Sequence, residues 1–384
     1  MIRWREGEVV GERARWGDAV EVEVRLLPVG DSTTTPDLTL ERPVVRALAY
    51  ASVTGDPAVG DRVLLNTNAL DNELGTGGVA MVVALPDRLP PDDLTAAADP
   101  EGAGHLVKAR YTPLQTMVFG ADEQDSPHHG LLADADDLGG LPVVAADLHS
   151  SLPAVLAGVR AGAPGARVAY LMTDGGALPA AFSRTAASLR ESGWLEAVIS
   201  CGQAYGGDLE AVNTFSGLLA ARHVAGADVV VVTQGPGNLG TGTRWGFSGV
   251  SAGEALNACA VLGGRGIACL RISGADPRER HRGISHHSMT AYGRVLTRQA
   301  DVPVPRLHGH PGIPTDLADL VTRQGDELLR AAHLVPYDVD LTGLQEALAQ
   351  APVRLSTMGR GLTEDPAAFL AAAAAGRHAA SLVP

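Results

Sequence analysis

The sequence predicts an α/β protein: a mostly parallel, doubly wound sheet of Rossmann-like type, preceded by a small β-barrel-like domain. Three observations predict it. From about residue 141, short runs of Val, Leu, Ile and Ala alternate with longer helical stretches, which is the rhythm of βα units. Those runs are apolar almost throughout, as strands must be when helices cover both faces of their sheet. Residues 1–85 instead hold short Val- and Leu-rich segments separated by Gly, Asp and Pro. At 384 residues, 45% hydrophobic and 19% charged, the chain can bury a sizeable core. With 4% aromatic residues, that core has to be built from aliphatic side chains.

In the first domain, 1–85, strands are predicted at 20–27 (VEVEVRLL), 44–50 (VVRALAY), 61–66 (DRVLLN) and 79–85 (VAMVVAL). PAVGDRVLLN reads as a hairpin loop entering a strand of a small barrel. Residues 86–104 form a Pro-, Asp- and Gly-rich linker. The α/β domain spans 105–384. Its strand–helix pairs are 141–148 with 150–161, 166–176 with 178–193, 195–202 with 208–226, and 227–237 with 249–264. A further strand covers 265–274. The pattern then loosens to a helix at 316–332, a strand at 353–359 and a helix at 364–380 with Pro366 near its start. The alanine-rich part of that last helix reads as docked on the surface. No fixed-period repeat is visible.

The formal charge of -14 argues against a nucleic-acid or anionic-membrane partner, which needs clustered Lys and Arg. A small anion is still allowed, because backbone N–H groups can cradle one whatever the net charge. Lys108 is the sole lysine, so the glycine-rich segments hold neither a Schiff-base lysine nor a phosphate-loop lysine. Cys201, Cys259 and Cys269 are widely spaced and odd in number, which does not suggest a disulfide framework or a cysteine zinc site. The start is charged and strand-like, and no run is long and apolar enough to span a bilayer. The expected location is the cytoplasm. The alanine-rich helices would serve a partner subunit or the chain's own interior equally well, so a homo-oligomer stays possible.

In open parallel sheets, ligands bind beyond the carboxyl ends of the strands. Here the segments after the strands are polar and glycine-rich: 147–151, 173–176, 201–208, 233–243 and 273–288. TQGPGNLGTGTRWGFSG reads as a cradle for a phosphate or carboxylate. Gly235, Gly237, Gly240 and Gly242 would allow close backbone approach, and Asn238, Thr241, Thr243 and Arg244 would supply polar contacts, with Ser248 adding a hydroxyl. The segment lacks the GK[ST] ending of a P-loop and departs from the GxGxxG fingerprint, so NAD is only weakly indicated and the cofactor is open.

HRGISHHSMTAYGR supplies the candidate acid/base groups, His286 and His287, with Ser285 or Ser288 as a helix N-cap. Neighbouring helical positions diverge, so one of the two rings is expected to face the site. His281 lies in a charged run, PRERHR, and reads as exposed. Asp174 at a strand end, followed by Gly175 and Gly176, is either a catalytic carboxylate or a cap. His149 and Asp208 are further ligand-binding candidates, and Asp208 also suits a helix cap. Metal ligation by these histidines is a weaker reading, because no HExxH occurs. His128, His129, His149, Asp147, Asp174 and Asp208 could add ligands to it. Cys201 reads as a buried, inert thiol, and Arg360 as a candidate anion partner. No GxSxG elbow is present.

VKARYTPLQTMVFGADEQDSPHH, YLMTDGGALPAAFSR, TQGPGNLGTGTRWGFSG, HRGISHHSMTAYGR and LSTMGRGLTEDPAAFLAAAAAGRHA resemble an uncharacterised bacterial family common in actinobacteria and clostridia, a domain of unknown function (three-eight-six-six). The likeness spans nearly the whole chain. It implies a cytosolic bacterial protein and carries no activity, cofactor or catalytic residue with it. The residues themselves favour an enzyme acting on a small phosphorylated or carboxylated metabolite. The alternatives are a non-catalytic metabolite sensor that uses the β domain for partners, and a metal-dependent hydrolase.

Overall fold

Five strands close the first barrel: β1 (Trp4–Trp16), β2 (Ala19–Leu26), β3 (Val44–Tyr50), β4 (Arg62–Asn66) and β5 (Ala80–Ala84), in the order β1-β2-β3-β5-β4. β4 returns to pair with the first half of β1. The long β1 is bent by register shifts between Val9 and Gly11 and between Glu12 and Ala14, bulges that coil it around the barrel. Val9, Val22, Val24, Val63, Leu65 and Val82 fill the interior. The computed structural model describes residues 2–28, 43–72, 78–89 and 104–384. Most of the predicted linker lies outside them.

The chain divides into two compact units, Met1–Ala103 with Ala109–Thr116, and Gly104–Lys108 with Met117–Pro384. The second is built on an eight-stranded sheet with every pairing parallel. Its strands are β6 (Pro142–Ala145), β7 (Val168–Thr173), β8 (Ala197–Ser200), β9 (Leu209–Glu210), β10 (Val229–Gln234), β11 (Arg265–Ala268), β12 (Ala300–Pro305) and β13 (Leu334–Val339). Their order is β9-β8-β7-β10-β6-β11-β12-β13. The helices are α1 (Leu152–Gly162), α2 (Arg184–Glu191), α3 (Thr214–His223), α4 (Ser251–Val261), α5 (His286–Thr290), α6 (Thr315–Leu328), α7 (Leu344–Ala349) and α8 (Pro366–Ala380). Right-handed crossovers place α1 and α2 on one face and α3 and α4 on the other. From β6 the chain leaves toward β7, and from β11 it leaves toward β12, in the opposite direction. The ends of β6 and β11 are therefore a topological switch point, where such sheets open a crevice.

Three sequence expectations need correction. The alanine-rich α8 is not a surface helix: it is buried from Phe369 to Gly376 and packs on α1. A Cβ on Gly158 would lie 1.9 Å from Ala373 O, and one on Gly376 would lie 1.9 Å from Val155 O. The small residues exist to let the two backbones meet. Asp208 does not cap a helix; β9 follows it, and Asn213 caps α3 by accepting from Phe215 N and Ser216 N. Of 353–359 only Ser356–Thr357 is extended, paired with Arg360–Gly361 across a tight turn.

Lys108 has a structural role. Its buried Nζ donates to the carbonyls of Gly202, Ala204 and Ala211 at 2.8, 3.0 and 3.0 Å, and so ties its segment to the loop after β8. Among the described residues, no helix is long and apolar enough to cross a membrane.

Candidate metal centre

After β11 the chain forms a short ribbon in which Ile272–Ser273 pairs antiparallel with Gly283–Ile284. The ribbon folds residues 274–282 back, so that the turn Glu279–His281 comes to lie over the start of α5. Gly283 makes this possible with a φ of 70°; a Cβ there would meet Gln324 Oε1 at 2.1 Å. Ser285 is the N-cap of α5, its hydroxyl accepting from His287 N. A π-helical turn, Ala291–Val295, follows α5, and its Tyr292 hydroxyl donates to Ala145 O at 2.7 Å and Cys269 O at 3.1 Å. The first turn of α5 is thereby fixed over the ends of β6 and β11, at the switch point.

The result is a cluster of three histidines. One ring nitrogen from each of His281, His286 and His287 lies within 4.8 Å of the other two. The ring centroids stand 4.5 Å apart for His286 and His287, 4.9 Å for His281 and His287, and 5.0 Å for His281 and His286. His281 is not exposed as its charged neighbours suggested: it is 2% exposed, because the ribbon folds it inward. Nor do His286 and His287 diverge. They occupy the first two positions of a very short helix, where both rings can fold toward the incoming His281.

Two of the rings are oriented by a contact at Nδ1. His287 Nδ1 is 2.9 Å from Asp147 Oδ2, a carboxylate placed by the end of β6. The same Nδ1 also lies 3.2 Å from Arg271 Nη1, a donor, but the carboxylate is closer and can only accept, so it favours the Nδ1–H form with Nε2 as the lone-pair nitrogen. His281 Nδ1 is 2.8 Å from Ser285 Oγ, which fixes the orientation of that ring. His286 Nε2 is buried with no hydrogen-bond partner. Phe247 stacks on His287 at 3.8 Å with the rings 5° from parallel, and meets His286 edge-on.

Burial sets the electrostatics. It pushes the His281 pKa down to about 3, with the charges of Arg271 and Arg278 adding to the effect. His286 is pushed down to about 4 by burial and then by His287, Arg280 and Arg271. Both rings are therefore neutral near pH 7, the form that ligates metals. For Asp147, burial alone would raise the pKa, but the bond from His287 and the charge of Arg271 hold the carboxyl below its usual range. Arg271 Nη1 sits 3.4 Å from Asp147 Oδ2. Asp276 pairs with Arg278 at 2.8 Å and with Arg360 at 3.3 Å, and Arg360 also reaches Asp365 at 3.2 Å. Arg360, expected to meet an anion, is thus occupied by two carboxylates.

The glycine-rich segment after β10 supports this cluster. Asn238 Nδ2 and Gln234 Nε2 reach Asp147 O at 3.4 and 3.2 Å. Gly249 packs on Asp147, where a Cβ would lie 2.7 Å from the Asp147 Cβ. The expected cradle is largely turned on itself. Thr241 Oγ1 is 3.1 Å from Thr243 Oγ1, which accepts from Gly246 N, and Gly240 bridges to Phe247. Gly235 backs onto Ala177, and a Cβ on Gly176 would strike Gly235 O. Gly237 and Gly242 take positive φ at the turns of this excursion. Arg244 is exposed near its tip.

The other candidates lie apart from the cluster. His149 uses both nitrogens, on Tyr170 Oη at 3.0 Å and Ser183 Oγ at 2.7 Å. Asp174 accepts from Gln203 N and so holds a turn. Asp208 is exposed beside Arg190 and accepts from Val198 N, level with the body of β8 and not with its carboxyl end. His129 is bonded to Asp122 O. Burial raises the Cys201 thiol to about 11, in keeping with an inert group. Sequence reasoning did not find Phe247 or Arg271. It also passed over His308 and His310, one residue apart after β12; among the described residues they join no three-ligand group.

The model of a family described as protein of unknown function (DUF3866) matches residues 46–376 of the chain. No curated protein and no solved structure matches it.

Proposed function

The chain belongs to that family of unknown function, and we propose that it is a metal-dependent hydrolase in which His281, His286 and His287 hold a zinc-class divalent cation. The observation that carries this reading is the convergence of three ring nitrogens, two oriented through their far side and one buried without a partner. Imidazole nitrogens around a tetrahedral zinc stand about 3.3 Å apart, from bonds of about 2.05 Å. The cluster therefore has to contract by about 1 Å or more, which a ribbon turn and a helix start can supply. An ion held by three histidines keeps a fourth position for water and lowers that water's pKa to near 7.

The chain's own residues do the rest. Asp147 fixes the tautomer of His287 and raises its basicity. Arg271 keeps Asp147 ionised in a buried place. Phe247 shields two of the rings from solvent. Protein treated with a chelator is expected to lose hydrolysis of p-nitrophenyl acetate and to recover it with one equivalent of zinc. Turnover that survives complete metal removal would overturn the reading.

A second reading, an anionic group on the substrate, is favoured by the exposed Arg280, whose guanidinium lies 3.7 Å from the Cβ position of Gly242. With Arg244 it gives the glycine-rich excursion positive charge. Replacing both arginines by Ala should raise KM for a carboxylated ester and leave KM for a neutral one unchanged.

A further inference from the structure

A small recess, lined by Arg271 and by none of the histidines, lies between the start of α1, the segment after β11, the turn at Thr357–Arg360 and the start of α8. It has about 20 Å³ of room for the centre of a water-sized group. That is enough for one small group and too little for a metabolite.

Arg271 is the incompletely paired group in its wall. The Arg271 side chain is 8% exposed, yet its carboxylate neighbours, Asp147 Oδ2 and Asp276 Oδ2, stand at 3.4 and 3.9 Å. Nη1 makes the contacts to Asp147 and His287, while among the described residues Nε and Nη2 have no hydrogen-bond partner. A buried charge held this loosely is costly unless something else meets its N–H groups. The hydroxyls of the wall donate as well. Ser150 Oγ and Thr357 Oγ1 are 3.0 Å apart, so one proton of that pair is left over. Ser151 stands at the N-cap of the eleven-residue α1, but its hydroxyl makes no cap bond. The carboxylate in the wall is already used. Asp365 Oδ1 takes Gly274 N at 2.9 Å, and Asp365 Oδ2 takes Ser273 Oγ and Arg360 Nε. Arg360 in turn spends its charge on Asp276 and Asp365.

We propose that this recess is a site for one chloride-sized anion, held by Arg271 Nε and Nη2, by Ser151 Oγ and by the Ser150–Thr357 hydroxyl pair. A wall of donors suits an anion. A water there would bring two protons of its own, with no free side-chain acceptor in the wall to take them. The start of α1 adds the positive end of a helix dipole. Size excludes phosphate and larger carboxylates. The anion completes the pairing of Arg271, whose other end braces Asp147 and His287. The site is independent of the reading of the histidines as a metal centre, and its occupant needs no metal.

The test melts the metal-free full chain at constant ionic strength while sodium chloride replaces sodium gluconate, whose anion is too large to enter. The melting temperature is expected to rise by roughly 2 °C and to level off as the site fills, because only the folded chain binds. Bromide should act like chloride. The rise should fall to about half or less in Ser151→Ala and in Thr357→Val, each of which removes one hydroxyl donor. Arg271→Gln should abolish it; if that variant does not fold, the two hydroxyl variants decide. The chloride NMR line should broaden with the parent chain and sharpen when bromide is added. Equal melting in the two salts, a rise that does not level off, or a rise of full size in both hydroxyl variants would overturn the proposal and leave the recess to a water.

Discussion

At the scale of single residues, Asp147 links the most interactions. Its carboxylate holds His287 and Arg271, and its carbonyl takes amides from Gln234 and Asn238. Asp147→Asn keeps the shape but loses the charge that fixes the His287 tautomer, and zinc affinity should fall roughly 10–100-fold by competition with a chromophoric chelator. His149 makes a separate prediction. Burial lowers its pKa to about 4 from the ordinary 6.5, so below pH 6.5 the unfolded chain binds a proton that the folded chain refuses. This residue's contribution is constant above pH 6.5 and is lost as pH falls from 6.5 toward 4. Urea unfolding of the parent chain should lose on the order of 1–2 kcal/mol more than His149→Gln between pH 7 and pH 5. His286 and His287 could be read directly from HRGISHHS. His281 could not, because local charge says exposed while the ribbon that buries it is a tertiary feature. Asp147 was only one carboxylate among several, since its partner lies 140 residues away.

At the scale of elements, two glycines decide how α1 and α8 meet. Gly158→Val or Gly376→Val sets side-chain atoms against backbone, where a Cβ alone would already be 1.9 Å from a carbonyl oxygen. Each should cost more than about 3 kcal/mol in urea unfolding, beyond the usual overpacking loss. The strands of the sheet were legible because runs such as VAYLMT and VVVVTQ are buried at every position, which leaves no alternative period. The docking of α8 was not. Alanine is small enough for a surface or a tight interior, and only the facing glycine on α1 settles the matter. The glycine-rich excursion after β10 was rightly read as part of the edge, but its hydroxyls bond to one another and its main side-chain contribution is Phe247. Phe247→Ala should cost about 3 kcal/mol of stability and weaken zinc binding by opening the His287 face to water.

At the scale of the whole molecule, strand order places the chemistry. The parallel sheet turns the loops that follow its strands to one edge, and the divergence at β6 and β11 chooses where along that edge such a sheet opens a crevice. The α/β rhythm and the barrel could be read from the sequence, since each follows from local periodicity. The strand order could not, because the insertion of β10 between β7 and β6 depends on long-range pairing. Without that order, Asp147, Arg271 and the three histidines could not be assigned to one place.

The most direct measurement is zinc binding to the full chain, with stoichiometry from elemental analysis and the ligand set from X-ray absorption. The account predicts one zinc per chain with three imidazole nitrogens at about 2.0–2.1 Å, lost in the His281→Ala, His286→Ala double variant. A chain that retains no zinc at micromolar concentration, or one that binds it equally well without those two histidines, would contradict it.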